Sequence, residues 1–352
     1  MAESRDASQQ LLDRVRAALA GGTPLRIQGG GSKAFLGRPV QGVALDSGEH
    51  RGIVRYDPTE LVVTVRAGTP LAELEAALEA EGQMLACEPP HFGAHATVGG
   101  MIAAGLSGPR RPWSGAVRDF VLGSRVITGL GTQLRFGGEV MKNVAGYDLS
   151  RLMAGSFGCL GLITEVSLKV LPRPRACRSL RLEMSLEQAL RRLARWGRQP
   201  MPISAASHDG RTLQLRLEGG ESSVSAAAAT LGGEPLDAAY WHDLREQRLP
   251  FFADPRPLWR LSLPPNAPAL TLPGEQLVDW GGAQRWLKTD ADADTVRAIA
   301  AAAGGHAACW TPGHVDSPFQ PLDPLLLRYH RQLKAQLDPK GIFNPGRMYA
   351  EV

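Results

Sequence analysis

Cysteine is scarce: four residues in 352, at positions 87, 159, 177 and 309. No two of them form a CxxC pair, which excludes a cysteine-held zinc site or iron–sulfur cluster within this chain. Scattered single cysteines fit a reducing compartment, where each serves as a small core hydrophobe. Long apolar runs are missing as well. None approaches the roughly 18 residues of a membrane span. The N-terminal segment carries Arg5, Asp6, Asp13, Arg14 and Arg16 where a secretory signal would be apolar. The expected location is therefore cytoplasmic, with any contact to the inner membrane made through partners. No long Lys/Arg run occurs either. Thirty-nine basic against 35 acidic residues leave a net charge of +4, which does not by itself point to nucleic acid.

Glycine and proline are plentiful, at 40 and 26 residues. The excess follows no period, so it implies a loop-rich protein whose backbone approaches a ligand closely. Hydrophobic residues at 43% and charged residues at 21% belong to a globular chain with a large core. At about 150 residues per domain, the length suggests two domains.

Residues 9–19 read as an amphipathic helix closed by Gly21-Gly22. A short strand at 25–27 runs into Gly29-Gly30-Gly31-Ser32-Lys33. Residues 61–65 form a β-branched strand, and Thr69-Pro70 reads as the N-cap and first position of a helix. Paired strands follow at 121–128 and 133–136, a short helix at 149–154 with Asp148 as its N-cap, and a long strand at 160–171. Pro172-Arg173-Pro174 marks the domain boundary. Beyond it, strand-like runs at 180–183, 213–217, 259–263 and 277–280 alternate with helix-like runs at 186–196, 222–231, 293–303 and 324–337. This pattern predicts an antiparallel α+β layer. The proline-rich stretch 250–273 reads as a surface segment.

Three consecutive glycines after a strand suggest phosphate binding, because glycine lets backbone N–H groups converge on an anion. A Rossmann loop requires GxGxxG and an immediate helix, but Gly37 and Pro39 interrupt any helix here. A P-loop requires Lys before Ser or Thr, and here Ser32 precedes Lys33. What remains is a pyrophosphate loop between short strands, or a plain tight turn. The segment 97–108, TVGGMIAAGLSG, leaves one face nearly bare of side chains. Such a face accepts either a flat ring system or a second helix.

These segments, taken in order, resemble one family. RIQGGGSK at 26–33, YDPTELVVTVRAGTPLAEL at 56–74, EPPHFGAHATVGGMIAAGLSGPRR at 88–111 and VMKNVAGYDLSRLMAGSFGCLGLITEVSLKVLP at 140–172 are similar to the FAD-binding domain of the vanillyl-alcohol oxidase, or PCMH, type. LVDWGGAQRWL at 277–287 and PLDPLLLRYHRQLKAQLDPKGIFNPGRMY at 321–349 extend the resemblance to one branch, the shorter FAD-binding subunits of bacterial glycolate oxidases. The resemblance implies an α+β fold: a PCMH-type FAD domain of two small α/β sub-layers over 1–172, a smaller cap-like α+β domain over 173–340, and a tail, 341–352, docking back on the first. It implies that Gly29, Gly30, Gly31, Ser32 and Lys33 hold the pyrophosphate. It places Thr97, Val98, Gly99, Gly100, Ala103 and Ser107 along pyrophosphate and flavin, and Lys142, Asn143, Gly146 and Tyr147 near the flavin. Gly155, Gly158, Leu160, Gly161 and Ile163 would pack near the adenine. Its implied partners are a larger FAD-binding subunit and an iron–sulfur subunit. Its implied substrate is a small 2-hydroxy acid, oxidised from glycolate to glyoxylate.

Two departures carry meaning. Members with covalent flavin often place His or Cys in the glycine loop, and residues 29–33 contain neither, so the expected FAD is non-covalent. Larger relatives carry a metal-binding stretch resembling HxxDGNxH, which is absent here, and no metal site is expected. Oxidation of a 2-hydroxy acid requires a cation for the carboxylate and a base for the hydroxyl proton. The candidates are Arg285 and His306. Two readings follow: a catalytic flavoenzyme subunit, or a flavin subunit that relays electrons while a partner oxidises the substrate.

Overall fold

The computed structural model describes residues 4–138 and 148–352. Helix Ser8–Gly21 buries Leu11, Leu12, Val15 and Ala18 and ends at Gly22 in the left-handed conformation, φ 61°. The strands that follow in the first part of the chain are β1 (Leu25–Gln28), β2 (Val43–Asp46), β3 (Ile53–Asp57), β4 (Val62–Arg66), β5 (Gln83–Met84), β6 (Val121–Ile127), β7 (Gln133–Gly137), β8 (Leu162–Lys169) and β9 (Leu171–Pro172). The later strands are β10 (Ala176–Glu183), β11 (Ile203–His208), β12 (Thr212–Gly219), β13 (Glu234–Pro235), β14 (Leu258–Ser262), β15 (Glu275–Asp279), β16 (Gln284–Lys288) and β17 (His306–Cys309).

Two compact units result. One comprises Met1–Ser107, Gly115–Pro172 and Pro321–Val352; the other comprises Gly108–Ser114 and Arg173–Gln320. The tail thus rejoins the first unit at Pro321 rather than at 341, because helix Pro324–Leu337 packs Leu333 and Leu337 on the first unit's core. The short segment 108–114 belongs to the second unit. There Arg110 pairs with Glu218, and the Trp280 indole donates to the Gly108 carbonyl at 2.9 Å.

In the first unit, β1 and β2 form a parallel pair, and β3-β4-β8-β6-β7 form an antiparallel sheet. Helices Leu71–Ala80 and Val98–Ala104 bury Leu71, Leu74, Leu78, Met101 and Ile102 in a core shared with Val63, Val65 and Val166. Burying each such side chain contributes roughly 1.5–3 kcal/mol. The helix after Thr69-Pro70 starts one residue later than the sequence suggests, with Pro70 as its N-cap. Thr69 is fully buried; its hydroxyl accepts from the Gly52 amide at 2.9 Å and donates to the Arg66 carbonyl at 2.7 Å. Tertiary bonding has captured the oxygen that would otherwise cap the helix. Asp148 does cap helix Leu149–Leu152, accepting from the Arg151 amide at 3.1 Å.

The second unit is one antiparallel sheet in the order β13-β10-β12-β11-β15-β16-β14-β17. Helices Leu186–Trp196 and Glu221–Leu231 cover the core built on β10, β11 and β12. Helix Ala293–Ala302 covers Trp259, Leu261 and Leu287. The stretch 250–273 is not wholly a surface segment. It contains β14, which lies between β16 and β17 and carries fully buried Trp259.

His50 gives the first unit an acid-sensitive point. Its ring is buried, with Nδ1 accepting from the Ala7 amide at 3.0 Å. Burial, opposed by Asp6, holds its pKa below the ordinary 6.5. The unfolded chain therefore takes up a proton near pH 6.5 that the folded chain refuses, and stability is lost as pH falls through that value. The thermal midpoint should drop between pH 7 and 5.5, with a slope of up to about 1.4 kcal/mol per pH unit from this group. His50→Asn should flatten that part of the profile. An unchanged slope would remove His50 as its source.

Candidate functional site

The triglycine loop follows β1 because only small residues fit there. A Cβ on Gly30 would lie 1.3 Å from the His95 carbonyl oxygen, and one on Gly29 would lie 2.4 Å from Thr97 Oγ1. The loop is thereby pressed against the segment that opens helix Val98–Ala104. Gly31 differs: at φ +71° its Cβ position meets nothing within 4 Å. It faces open space, in a conformation that L side chains adopt only with strain.

The loop lines a cleft. Gly29, Gly30, Gly31, Ser32 and Lys33 form one side, and Thr97, Gly100 and Ala103 the other, with Arg26, Phe157, Asn344 and Arg347 completing it. A continuous second hollow is lined by Gly99, Gly158, Gly161, Ile163 and Ser47. Thr97 Oγ1 caps its helix by accepting from the Gly100 amide at 3.2 Å. Lys33 Nζ is 3.1 Å from the His91 carbonyl and 5.7 Å from the Phe92 ring, which ties the loop to the segment before Thr97.

Several expected residues stand behind this surface rather than on it. Val98 and Leu160 are in the core. Ser107 Oγ accepts from the Val117 amide at 3.0 Å. Gly155 does not line the cleft; its amide donates to the Ile102 carbonyl at 3.0 Å. Lys142, Asn143, Gly146 and Tyr147 lie outside the described residues.

The C-terminal tail supplies what the local motifs could not reveal. Asn344 Oδ1 accepts from the Ile27 amide at 2.8 Å, and its Nδ2 donates to the Phe157 carbonyl at 2.6 Å. Arg347 donates to the carbonyls of Arg38 at 3.1 Å and Ala34 at 3.0 Å, fixing the chain just after the glycine loop. Cys159, beside this tail, is buried, and burial raises its thiol to about 11. That shift disfavours its thiolate at neutral pH.

The cleft suits a dinucleotide. A ligand-facing glycine loop accepts phosphate oxygens on backbone amides, Arg26, Lys33 and Arg347 contribute positive charge, and the Gly99–Gly100–Ala103 surface is flat enough for close approach of the cofactor.

The second unit separates the two catalytic candidates. Arg285 is fully buried, donating to the carbonyls of Gly282 at 3.3 Å, Ala267 at 3.2 Å and Pro268 at 2.7 Å. It is a structural cross-tie, not a substrate cation, because β16 turns it to the helix-covered face with Leu287 and Trp259. His306 is exposed on the edge strand β17, opposite Ser262. Partial burial first, and then the charge of Arg260, hold its imidazole below the ordinary 6.5, so it is neutral and able to accept a proton at pH 7.

Arg260, which sequence reasoning passed over, shares a sheet face with His306, Ser262, Gln284 and Trp286. Its Nε donates to Gln284 Oε1 at 2.6 Å, and Gln284 Nε2 in turn donates to Asp279 at 3.2 Å. The guanidinium lies 5.0 Å from the Trp280 ring and 5.8 Å from the Trp310 ring, while Arg111 lies 4.3 Å from Trp280. Burial, reinforced by Arg111, pulls the Arg260 pKa down to about 10. Among the described residues, no group of three His, Cys, Asp or Glu side chains is arranged to hold a metal ion. None of their helices is long and apolar enough to cross a membrane.

Comparison with known proteins agrees with the cleft. A family profile described as "FAD binding domain" matches residues 6–137. The chain is 63% identical over 347 residues to glycolate oxidase subunit GlcE of Escherichia coli (strain K12), covering 99% of both chains. It is 36% identical over 128 residues to glycolate oxidase subunit GlcD of Bacillus subtilis (strain 168), covering 36% of this chain and 27% of that one. Among solved structures, an alkyldihydroxyacetonephosphate synthase superposes with a TM-score of 0.67 at 18% identity, covering 96% of this chain and 74% of that one. The last likeness concerns the fold alone.

Proposed function

The chain belongs to the glycolate oxidase subunit GlcE family of FAD-dependent oxidoreductases, and we propose that it seats non-covalent FAD in the glycine-loop cleft and takes part in oxidising glycolate to glyoxylate. Electrons would pass onward through an assembly containing a larger flavin subunit and an iron–sulfur subunit. The observation that carries this reading is the cleft itself, in which Gly29–Lys33 and Thr97–Ala103 meet in a chain similar from end to end to a glycolate oxidase subunit. Bound FAD supplies a two-electron acceptor. The protein's part is to hold phosphates on loop amides, to close the cleft with Asn344 and Arg347, and to keep the nearby thiol of Cys159 protonated.

A second reading, a flavin subunit that relays electrons without touching substrate, is favoured by one observation: Arg285 is committed to three backbone carbonyls. The two readings part in one experiment. The purified full chain, loaded with FAD, should show a flavin spectrum that bleaches under anaerobic glycolate. A spectrum that stays oxidised until the larger flavin subunit is added would select the relay. Failure to retain any FAD would reject both. Acid precipitation should release all the flavin into the supernatant; colour left in the pellet would overturn non-covalent attachment.

A further inference from the structure

We propose that Arg260, walled by Trp280 and Trp310, is a binding site for the carboxylate of a small hydroxy or oxo acid, carried by the second unit itself. In its choice of acid the inference rests on the reading above; in its geometry it does not. Three arginines of this unit, Arg285, Arg110 and Arg216, are well buried and have partners. Arg285 donates to three carbonyls through Nε and Nη2, leaving only its Nη1 without a partner, and Arg110 and Arg216 both pair with Glu218. Each has acceptors to offset the loss of water.

Arg260 lacks that compensation. Among the described residues its only hydrogen bond is from Nε to Gln284, and no carboxylate pairs with it. Asp279, the nearby acid, is engaged by Gln284 and by the Trp280 amide at 2.6 Å. The two terminal nitrogens of the guanidinium thus remain as donors, on a side chain that is only partly buried. The Gln284 contact fixes the orientation of the fork, and the Trp280 and Trp310 rings lie beside it. A pre-oriented planar fork in an apolar slot matches a planar carboxylate in bidentate fashion. Arg111, 4.3 Å from the same Trp280 ring, adds a second positive charge, and Ser262 and His306 lie on the same sheet face where the hydroxyl or oxo group of a short acid would need polar partners. A role as a purely structural cation–π pillar would explain the indoles but not the two remaining donors.

The test uses the full-length chain, flavin-free, with intrinsic tryptophan fluorescence as the readout, since the Trp280 and Trp310 indoles flank the guanidinium. Glycolate should quench or enhance the signal saturably. Glycolamide, which has the hydroxyl but no carboxylate, should not. Arg260→Met should weaken glycolate binding about tenfold or more, whereas Arg181→Gln, at an exposed pair with Glu234, should leave it unchanged. If Arg260→Met fails to fold by circular dichroism, Arg260→Lys serves, since it keeps the charge but loses both the Nε bond and the fork, and weaker binding is again expected. Wild-type affinity in the folded Arg260 variant, no saturable response in the wild type, equal binding of glycolamide, or tighter binding of inorganic phosphate than of glycolate would each overturn the proposal. Flavin retention, measured on the same preparations, is a separate readout. A chain that holds FAD yet shows no Arg260-dependent glycolate binding loses this site and keeps the cleft; a chain with the converse result loses the cleft and keeps this site.

Discussion

Gly30→Ala should yield a protein that retains less than a tenth of the wild-type flavin, and one that melts lower even without cofactor. The added methyl would sit 1.3 Å from the His95 carbonyl oxygen, which is backbone and cannot swing aside. The loop must therefore leave the segment before Thr97, and both sides of the cleft move. Gly31→Ala is the complementary variant. Its methyl meets no protein atom within 4 Å, but φ is +71°, so the folding cost is that of one left-handed alanine, roughly 1–2 kcal/mol. Its flavin-free thermal midpoint should stay within a few degrees of wild type, while flavin affinity falls sharply because the methyl points into ligand space. Thermal melts of the flavin-free proteins and flavin-to-protein absorbance ratios would check both. Full flavin retention by Gly31→Ala would show that this side of the loop does not face the cofactor.

The glycine loop was legible in the sequence because its constraint is local: three consecutive residues without Cβ atoms, after a strand and away from any helix, leave few conformational explanations. The same holds for helix Pro324–Leu337, where Asp323 caps, Pro324 occupies the first turn and Asp338 ends the run. The setting of Arg285 was not legible by that route. Every residue of β16 is buried, so the hydrophobic alternation that normally reports strand parity is erased. On β16 parity alone decides that Arg285 shares a face with Leu287 and meets backbone carbonyls. Asn344 was illegible for a different reason. Its partners, Ile27 and Phe157, lie 317 and 187 positions away, and no local pattern encodes such pairings. Thr69 shows the intermediate case: a sound capping signal that lost to a tertiary hydrogen bond with Gly52 and a local one with Arg66.

Lys334→Met should be the most destabilising single substitution in the tail, and it should reach the cleft through Asn344. The Lys334 ammonium is buried, donating to the carbonyls of Cys159 at 2.7 Å and Phe343 at 2.6 Å and to Asp338 at 2.8 Å. The Asp338 carboxylate, wholly buried, also accepts from the amides of Ile342 at 3.1 Å and Phe343 at 2.8 Å. Methionine preserves the length and apolar stem of lysine but leaves a buried carboxylate without its cation and two carbonyls without their donor. Breaking a buried pair in this way costs about 3–5 kcal/mol. Asn344, next to Phe343, holds Ile27 and Phe157 in place, so loosening the tail should also reduce flavin retention. Asn344→Ala separates the two effects. It removes two hydrogen bonds at the cleft while sparing the ion pair, so it should cost only about 1–3 kcal/mol in stability yet weaken flavin binding at least as much. Replacing both members, Lys334→Met with Asp338→Leu, should recover much of the lost stability, because the stranded charge is gone. Thermal melts of the flavin-free proteins decide the matter: a double variant no more stable than Lys334→Met would mean that the tail is held by packing of Phe343 and Ile342 rather than by this ion pair.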